Sequence, residues 1–312
     1  MERIALGRGG PKVSAVGLGM WQAGGDAWGK DVRDRDCIAA MVRAVELGVD
    51  LVDTAEVYGN GHSEEVVGKA IREVGRENVF VATKLAGYHG RPRDVERAIR
   101  GSLKRLGVRT IDLYQVHWPD PWDQVPLRET MKALEGAWRK GRIGHIGVSN
   151  FAVRDLEDAR SHLSRADIST NQVRYNLLQR EIESDVLPYC RREGIAILAW
   201  SPLAKGVVTG KYRATRRPKD RVRTDDDLFK PANLRAAGPL ISALRAIGRP
   251  HRKTAAQVAL AWFRSRRIVA PIPGAKRPAQ AEENVGAAGW SLSAAEVRRL
   301  DAVSARVRLD TF

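Results

Sequence analysis

The chain should form an α/β fold, a (β/α)₈ TIM barrel of eight parallel strands ringed by helices, with a small N-terminal β-hairpin and an extra C-terminal helix. Short β-branched runs alternate with longer stretches of helical periodicity, the pattern of repeated βα units around a parallel sheet. Eight such runs spread over roughly 270 residues suit a barrel whose usual length is about 250. An open doubly wound sheet would carry a G-x-G-x-x-G turn after its first strand, and no such fingerprint occurs.

In chain order, residues 3–6 and 12–13 flank Gly9-Gly10 and read as a hairpin able to plug the barrel floor. The strands are expected at 13–18, 51–53, 79–84, 111–117, 143–149, 168–172, 196–200 and 268–273. Helical stretches fall between them at 34–47, 63–74, 94–106, 127–140, 154–162, 184–193 and 254–263, with 279–286 after the last strand. Ser63-Glu64-Glu65 would set negative charge in a first turn, and Ser293 with Glu296 would make a capping box for a final helix to residue 307. Gly48, Gly107 and Gly194 follow last helical turns, where a left-handed residue is wanted. Residues 213–239, rich in charge, Pro and Asp, read as a long loop after the seventh strand. No repeat, low-complexity tract or linker divides the chain, so residues 1–312 are expected to form a single domain.

Composition narrows the function. With 43% hydrophobic and 29% charged residues the chain is an ordinary globular protein, neither disordered nor fibrous. Its longest apolar runs, such as 195–200, are far shorter than the roughly 18 to 20 residues of a membrane helix. Residues 1–13 carry charges and glycines without an apolar leader, so the expected address is cytoplasmic. Cys37 and Cys190 lie far apart without C-x-x-C spacing, which leaves no disulfide framework and no metal site. The formal charge of +16 raises nucleic acid as a partner. Its arginines are scattered through helical segments and no recognition motif accompanies them, so a solvated basic surface or grips for a phosphorylated small molecule fit better.

In a barrel, the carboxyl ends of the strands face the active site. There the second strand ends in Asp53-Thr54-Ala55-Glu56-Val57-Tyr58-Gly59, the third in Lys84, the fourth in His117 and the fifth in Ser149-Asn150. A buried Asp53 would hold the Lys84 ammonium, and the ammonium would lower the pKa of the Tyr58 phenol toward the working pH. A neutral His117 could orient a carbonyl oxygen against that phenol. Singly, such residues are more often caps, turns or structural groups. Their occurrence at three successive strand ends favours chemistry.

Further motifs join these: Val16-Gly17-Leu18-Gly19, Ile111-Asp112-Leu113-Tyr114 leading to His117, and Ile146-Gly147-Val148-Ser149-Asn150. Gln172 with Tyr175-Asn176, Trp200-Ser201-Pro202-Leu203, and Ile272-Pro273-Gly274 with Glu283-Asn284 complete the set. Over nearly its whole length the chain resembles the aldo-keto reductases, in the Ile-Pro-Gly branch that also includes potassium-channel β subunits. The resemblance implies a barrel that binds NADPH in extended form and transfers a hydride, reversibly, between its nicotinamide and an aldehyde or ketone. It makes Tyr58 the general acid, Lys84 and Asp53 its tuning pair, and His117 the group that places the carbonyl. Ser149, Asn150 and Gln172 match positions that bond the nicotinamide carboxamide, Trp200 the aromatic stacked on its ring, and Met20 and Trp21 residues at the same end. Uncharged amides and a hydroxyl supply both donors and acceptors, and a flat indole supplies a stacking face. Trp21, Tyr58, His117 and Trp118 are the expected substrate contacts.

The loops after strands seven and eight often bind phosphate in barrels. Here they carry Ser201, Pro202, Leu203, Lys205, Gly206 and Lys211, then Gly274, Lys276, Arg277, Gln280, Glu283 and Asn284. Gly274 and Gln280 stand where many family members have Lys and Arg, so their 2′-phosphate contacts do not transfer directly. Lys276 and Arg277 supply positive charge instead, which predicts NADPH over NADH, and Arg221 is expected to close over the pyrophosphate. Residues 24–30 fit G-x-x-x-x-G-K, but Asp31 follows where Ser or Thr would bind magnesium, so the match is accidental. Two rival functions have sequence grounds. A non-catalytic NADPH-binding regulatory subunit would share the fold, but the potassium-channel relatives carry Asn where this chain keeps His117. A hydrolase using Asp53 and Glu56 as paired carboxylates would leave Lys84, Trp200 and the amide cluster without a role.

Overall fold

The structure is a computed structural model that describes residues 1–310, the side chain of Asp26 excepted. A hairpin of β1 (Arg3–Ala5) and β2 (Lys12–Ser14) comes first. It is followed by β3 (Leu18–Gly19), β4 (Leu51–Asp53), β5 (Phe80–Leu85), β6 (Ile111–Val116), β7 (Ile143–Ser149), β8 (Ile168–Arg174), β9 (Ala196–Trp200) and β10 (Val269–Pro271). These eight strands form one parallel sheet in sequential order. A parallel bridge between Gly19 and Gly274 closes it, helped by amide bonds from Gly17 to Pro271 O (2.9 Å) and Gly19 to Pro273 O (3.0 Å). Helices α1 (Asp34–Glu46), α2 (His62–Val74), α3 (Pro92–Leu106), α4 (Leu127–Arg139), α5 (Val153–Ser161) and α6 (Val186–Glu193) alternate with the first strands. After β9 come α7 (Arg221–Thr224), α8 (Pro231–Ala236), α9 (Gly238–His251) and α10 (Ala255–Ala261); α11 (Pro278–Val285) and α12 (Ala294–Ala305) follow β10.

Two apolar layers hold the architecture. The larger packs the outer faces of the strands against the helices. The smaller fills the barrel, where Leu51, Ala82, Leu113, Ala196, Leu198, Ala270 and Ile272 meet Leu6 and Val13 of the hairpin. The hairpin is therefore the expected plug. The boxes at both Thr254–Gln257 and Ser293–Glu296 cap their helices, and Gly48, Gly107 and Gly194 all take positive φ.

Two expectations need correction. The first barrel strand is not 13–18: Val13 pairs with Ile4 in the hairpin, and only Leu18–Gly19 enters the sheet. Glycine here permits closure, because a Cβ on Gly17 would sit 2.9 Å from the side chains of both Leu51 and Ile272. Residues 213–239 are not one long loop but contain α7, α8 and the start of α9. Two of the three prolines, Pro231 and Pro239, occupy first-turn positions where no amide hydrogen bond is lost. Glu64 does stand in the first turn of α2, as expected. It is fully buried, accepting from Thr83 Oγ1 and Arg105 Nε at 2.6 Å each.

The plug yields a stability prediction. Leu6→Ala should leave a cavity at the barrel floor and cost about 2 to 4 kcal/mol by thermal or urea unfolding, with little change at the opposite mouth. Unfolding like that of the parent chain would show that the hairpin does not fill the barrel.

Candidate active site

Side chains alternate along a strand, so each inward apolar residue is followed two positions later by another inward group. Leu51 leads to Asp53, Ala82 to Lys84, Leu113 to Gln115, and Leu198 to Trp200. The strand register sets Lys84 beside Gln115, Ser149 beside Gln172, and Arg174 beside Trp200. The apolar floor thus gives way to a polar layer at the carboxyl ends of the strands.

At its centre, Lys84 Nζ donates to Asp53 Oδ1 and to the Thr54 carbonyl, both at 2.7 Å, and to Tyr58 Oη at 3.3 Å. The other carboxylate oxygen of Asp53 accepts from Gln172 Nε2 (2.8 Å) and Gln115 Nε2 (3.1 Å). Burial disfavours the ammonium, but Asp53 and the phenol more than offset that, and the Lys84 pKa rises. The Tyr58 pKa also rises, contrary to the expectation from charge alone. Burial of the phenolate outweighs the pull of Lys84, and Asp53 cancels part of that pull. Tyr58 is consequently a protonated phenol at neutral pH. His117 meets Tyr58 edge-on at 5.4 Å between ring centroids. Burial, then the Lys84 charge, pushes its pKa to about 2, so the imidazole is neutral, and its buried Nδ1 has no partner among the described residues.

The amide cluster sits beside this group. Ser149 Oγ donates to the Gln172 carbonyl (2.8 Å), Asn150 Nδ2 to the His117 carbonyl (3.0 Å), and Trp200 Nε1 to Asn150 Oδ1 (3.0 Å). Asn150, Ser201 and Lys205 all hold positive φ (59°, 50° and 51°), a conformation costly for residues with a side chain. These three strained residues lie on the rim of one cavity.

That cavity, of about 280 Å³, runs from Tyr58 and His117 to Lys276 and Asn284. It brings together Trp21, Asp53, Ser149, Asn150, Gln172, Trp200, Ser201, Pro202, Leu203, Lys205, Gly206, Lys211, Gly274, Lys276, Gln280, Glu283 and Asn284. Lys84, fully buried, lies behind its wall. Three expected cofactor residues do not line it. Met20 is buried in the core, Arg277 faces Asp31 at 3.4 Å on the surface, and Arg221 is exposed beside Asp225. Trp118 packs 4.4 Å from His117 and against Tyr88, flanking the cavity without lining it. Glu56 turns away to the Ala86 amide and His89, so no carboxylate pair with Asp53 forms.

Sequence reasoning missed Gln115, Gln22 and Arg223, whereas Trp28, expected in an aromatic pocket wall, does line the cavity. Gln115 was legible by alternation, two positions before His117. Arg223, not Arg221, reaches the cavity: it pairs with Asp220 at 2.6 Å and lies 4.8 Å over the Trp28 ring. That choice depends on the phase of a four-residue helix inside a segment read as loop.

The geometry has counterparts among known proteins. Residues 15–305 match the model of the aldo/keto reductase family. An uncharacterised oxidoreductase of Mycobacterium bovis is 40% identical over 91% of this chain and 87% of its own length. An NADH-specific methylglyoxal reductase of Escherichia coli is 31% identical over 95% of this chain and 96% of its own. The crystal structure of an aldo/keto reductase from Klebsiella pneumoniae in complex with NADP and acetate superposes with a TM-score of 0.78 at 29% identity, covering all of both chains. With strands, plug and polar layer arranged as described, this chain belongs to the aldo/keto reductase family.

Proposed function

We propose that the protein is an NADPH-dependent reductase of aldehydes and ketones, reversible in direction, with Tyr58 as its general acid. The observation that carries this reading is a protonated, buried phenol held 3.3 Å from an ammonium and edge-on to a neutral imidazole, at one end of a long cavity. The far end suits a dinucleotide. Lys211 and Lys276 have no carboxylate partner within ion-pair range among the described residues, and both pKa values are lowered, first by burial, with Arg223 adding to the fall at each and Asp31 opposing it at Lys276. A bound anion would relieve that repulsion. The backbone at Gly274 is bare: a Cβ there would lie 2.0 Å from the Gln22 amide.

In this reading Ser149, Asn150 and Gln172 hold the carboxamide edge and Trp200 the ring face. Ser201, Pro202, Leu203, Lys205, Gly206 and Lys211 flank the pyrophosphate, with Arg223 in the role expected of Arg221. Gly274, Lys276, Gln280, Glu283 and Asn284 receive the adenosine end. When bound, the cofactor supplies the hydride for the carbonyl carbon. Tyr58 gives its proton to the carbonyl oxygen, which His117 orients, and the Lys84 ammonium stabilises the phenolate until solvent restores the proton. Asp53 keeps that ammonium in place.

Pure protein mixed with NADPH and a panel of carbonyl compounds should oxidise the cofactor, and Tyr58→Phe should lower kcat on the order of 10³-fold while still binding NADPH. Tight binding without turnover on any carbonyl would favour a regulatory subunit instead. The E. coli relative is NADH-specific and the K. pneumoniae structure holds NADP, so the preference here rests on this chain's own cations. Dissociation constants should favour NADPH over NADH by about tenfold, and Lys276→Ala should remove most of the difference. Equal affinities, or tighter NADH, would overturn that preference.

A further inference from the structure

We propose that Gln115 is a positioning residue for the cofactor: together with Asp53 it fixes which way the Gln172 amide faces, and so presents the Gln172 oxygen to the NH₂ of the nicotinamide carboxamide. This rests on the reductase reading above. Gln115 is fully buried and does not line the cavity, so whatever it contributes passes through its neighbours.

Its place follows from the strands. Gln115 stands two residues past Leu113 of the apolar floor and two short of His117, and therefore points into the barrel. Asp53, Gln115 and Gln172 lie on β4, β6 and β8, no two of which are paired. Alternate strands send side chains into the same layer of a barrel interior, which lets the three meet. The strand between Gln115 and Gln172 has to leave room for that meeting, and β7 does so with a glycine. Gly147 faces Gln115 in the register, and a Cβ on it would sit 2.9 Å from Gln115 Cγ and 2.4 Å from Thr170 Oγ1. The missing side chain is the gap through which Gln115 reaches across.

The chemistry of Asp53 sets the direction of both amides. An ionised carboxylate accepts hydrogen bonds and donates none, so each amide turns its nitrogen toward it. Gln172 Nε2 donates to Asp53 Oδ2 at 2.8 Å, and Gln115 Nε2 donates to the same oxygen at 3.1 Å. That leaves Gln115 Oε1 to accept from Gln172 Nε2, at 3.3 Å. Both hydrogens of the Gln172 amide are thereby directed, one to Asp53 and one to Gln115. A reversed Gln172 amide would set its oxygen against two acceptors at once. Without Gln115 only one of them would resist the reversal. In the arrangement present, Gln172 Oε1 has no donor within hydrogen-bond range among the described residues, while Gln172 lines the cavity. An amide oxygen held there matches an NH₂ and gains nothing from a methyl group in its place.

The test reads dissociation constants for NADPH and for its reduced acetylpyridine analogue, in which a methyl group replaces the carboxamide NH₂. The unmodified protein should bind NADPH about fivefold more tightly than the analogue, the scale of one hydrogen bond. Gln115→Met keeps the length of the side chain and removes its amide. It should bring that ratio below about two, by weakening NADPH and leaving the analogue's affinity as it was. Thermal unfolding follows the fold of the variant, and Gln115→Leu serves the same comparison if the methionine variant does not fold. A folded Gln115 variant that keeps the unmodified ratio would overturn the proposal. So would equal weakening of both cofactors, which a merely structural role for Gln115 predicts. If the unmodified protein does not bind NADPH, the reductase reading fails first and the role of Gln115 falls with it.

Discussion

The buried ion pair between Lys84 and Asp53 is the constraint to which the rest of the site answers. Removing two charges from water costs several kcal/mol each, and the loss is offset only where every remaining polar atom finds a partner. Here the Thr54 carbonyl accepts a second hydrogen bond from the ammonium, and Gln115 and Gln172 donate to the outer carboxylate oxygen. Those partners come from β6 and β8 and the turn after β4, so a one-residue slip of any strand would carry its group to the helical face. The apolar plug below and the cavity above are then two faces of one register. Leu51, Ala82 and Leu113 belong to the floor because Asp53, Lys84 and Gln115 belong to the layer above.

Charge alone would make Tyr58 acidic, and burial reverses that. The distinction decides what the phenol can do. A group that stays protonated through neutral pH is ready to give a proton to a carbonyl oxygen, whereas withdrawal of a proton from an alcohol needs the phenolate and is favoured at high pH. The neutral His117 fits the same requirement: it can hydrogen-bond an oxygen without adding a second positive charge beside Lys84. Part of the chain's positive charge reappears in the site, as Lys211 and Lys276 at the end of the cavity far from Tyr58.

Much of this was legible in the sequence, because inward and outward residues alternate with a fixed period and the eight strands repeat it. Strands β7 and β9 fall at the expected residues, and Asp53, Tyr58, Lys84 and His117 do converge. The first barrel strand was hidden because Val13 satisfies the same pattern in the hairpin. Helix α9 was hidden by Gly238, Pro239, Gly248 and Pro250, which read as breakers although Pro239 sits where a helix tolerates it. The side-chain choices that depend on a short helix's phase, Arg223 over Arg221, have no sequence signal. Nor does the pKa of Tyr58, whose sign turns on how completely water is excluded.

The most direct measurement is the ionisation of Tyr58 itself, followed by carbon NMR of the labelled phenol ring carbon, with Tyr58→Phe used to assign the signal among the six tyrosines. A buried phenol beside an ammonium already bound by Asp53 should stay protonated through the range where a free tyrosine ionises and titrate above it. A signal that titrates near neutrality would mean that the Lys84 charge prevails over burial, and the site would then work as an activated phenolate rather than as a poised acid.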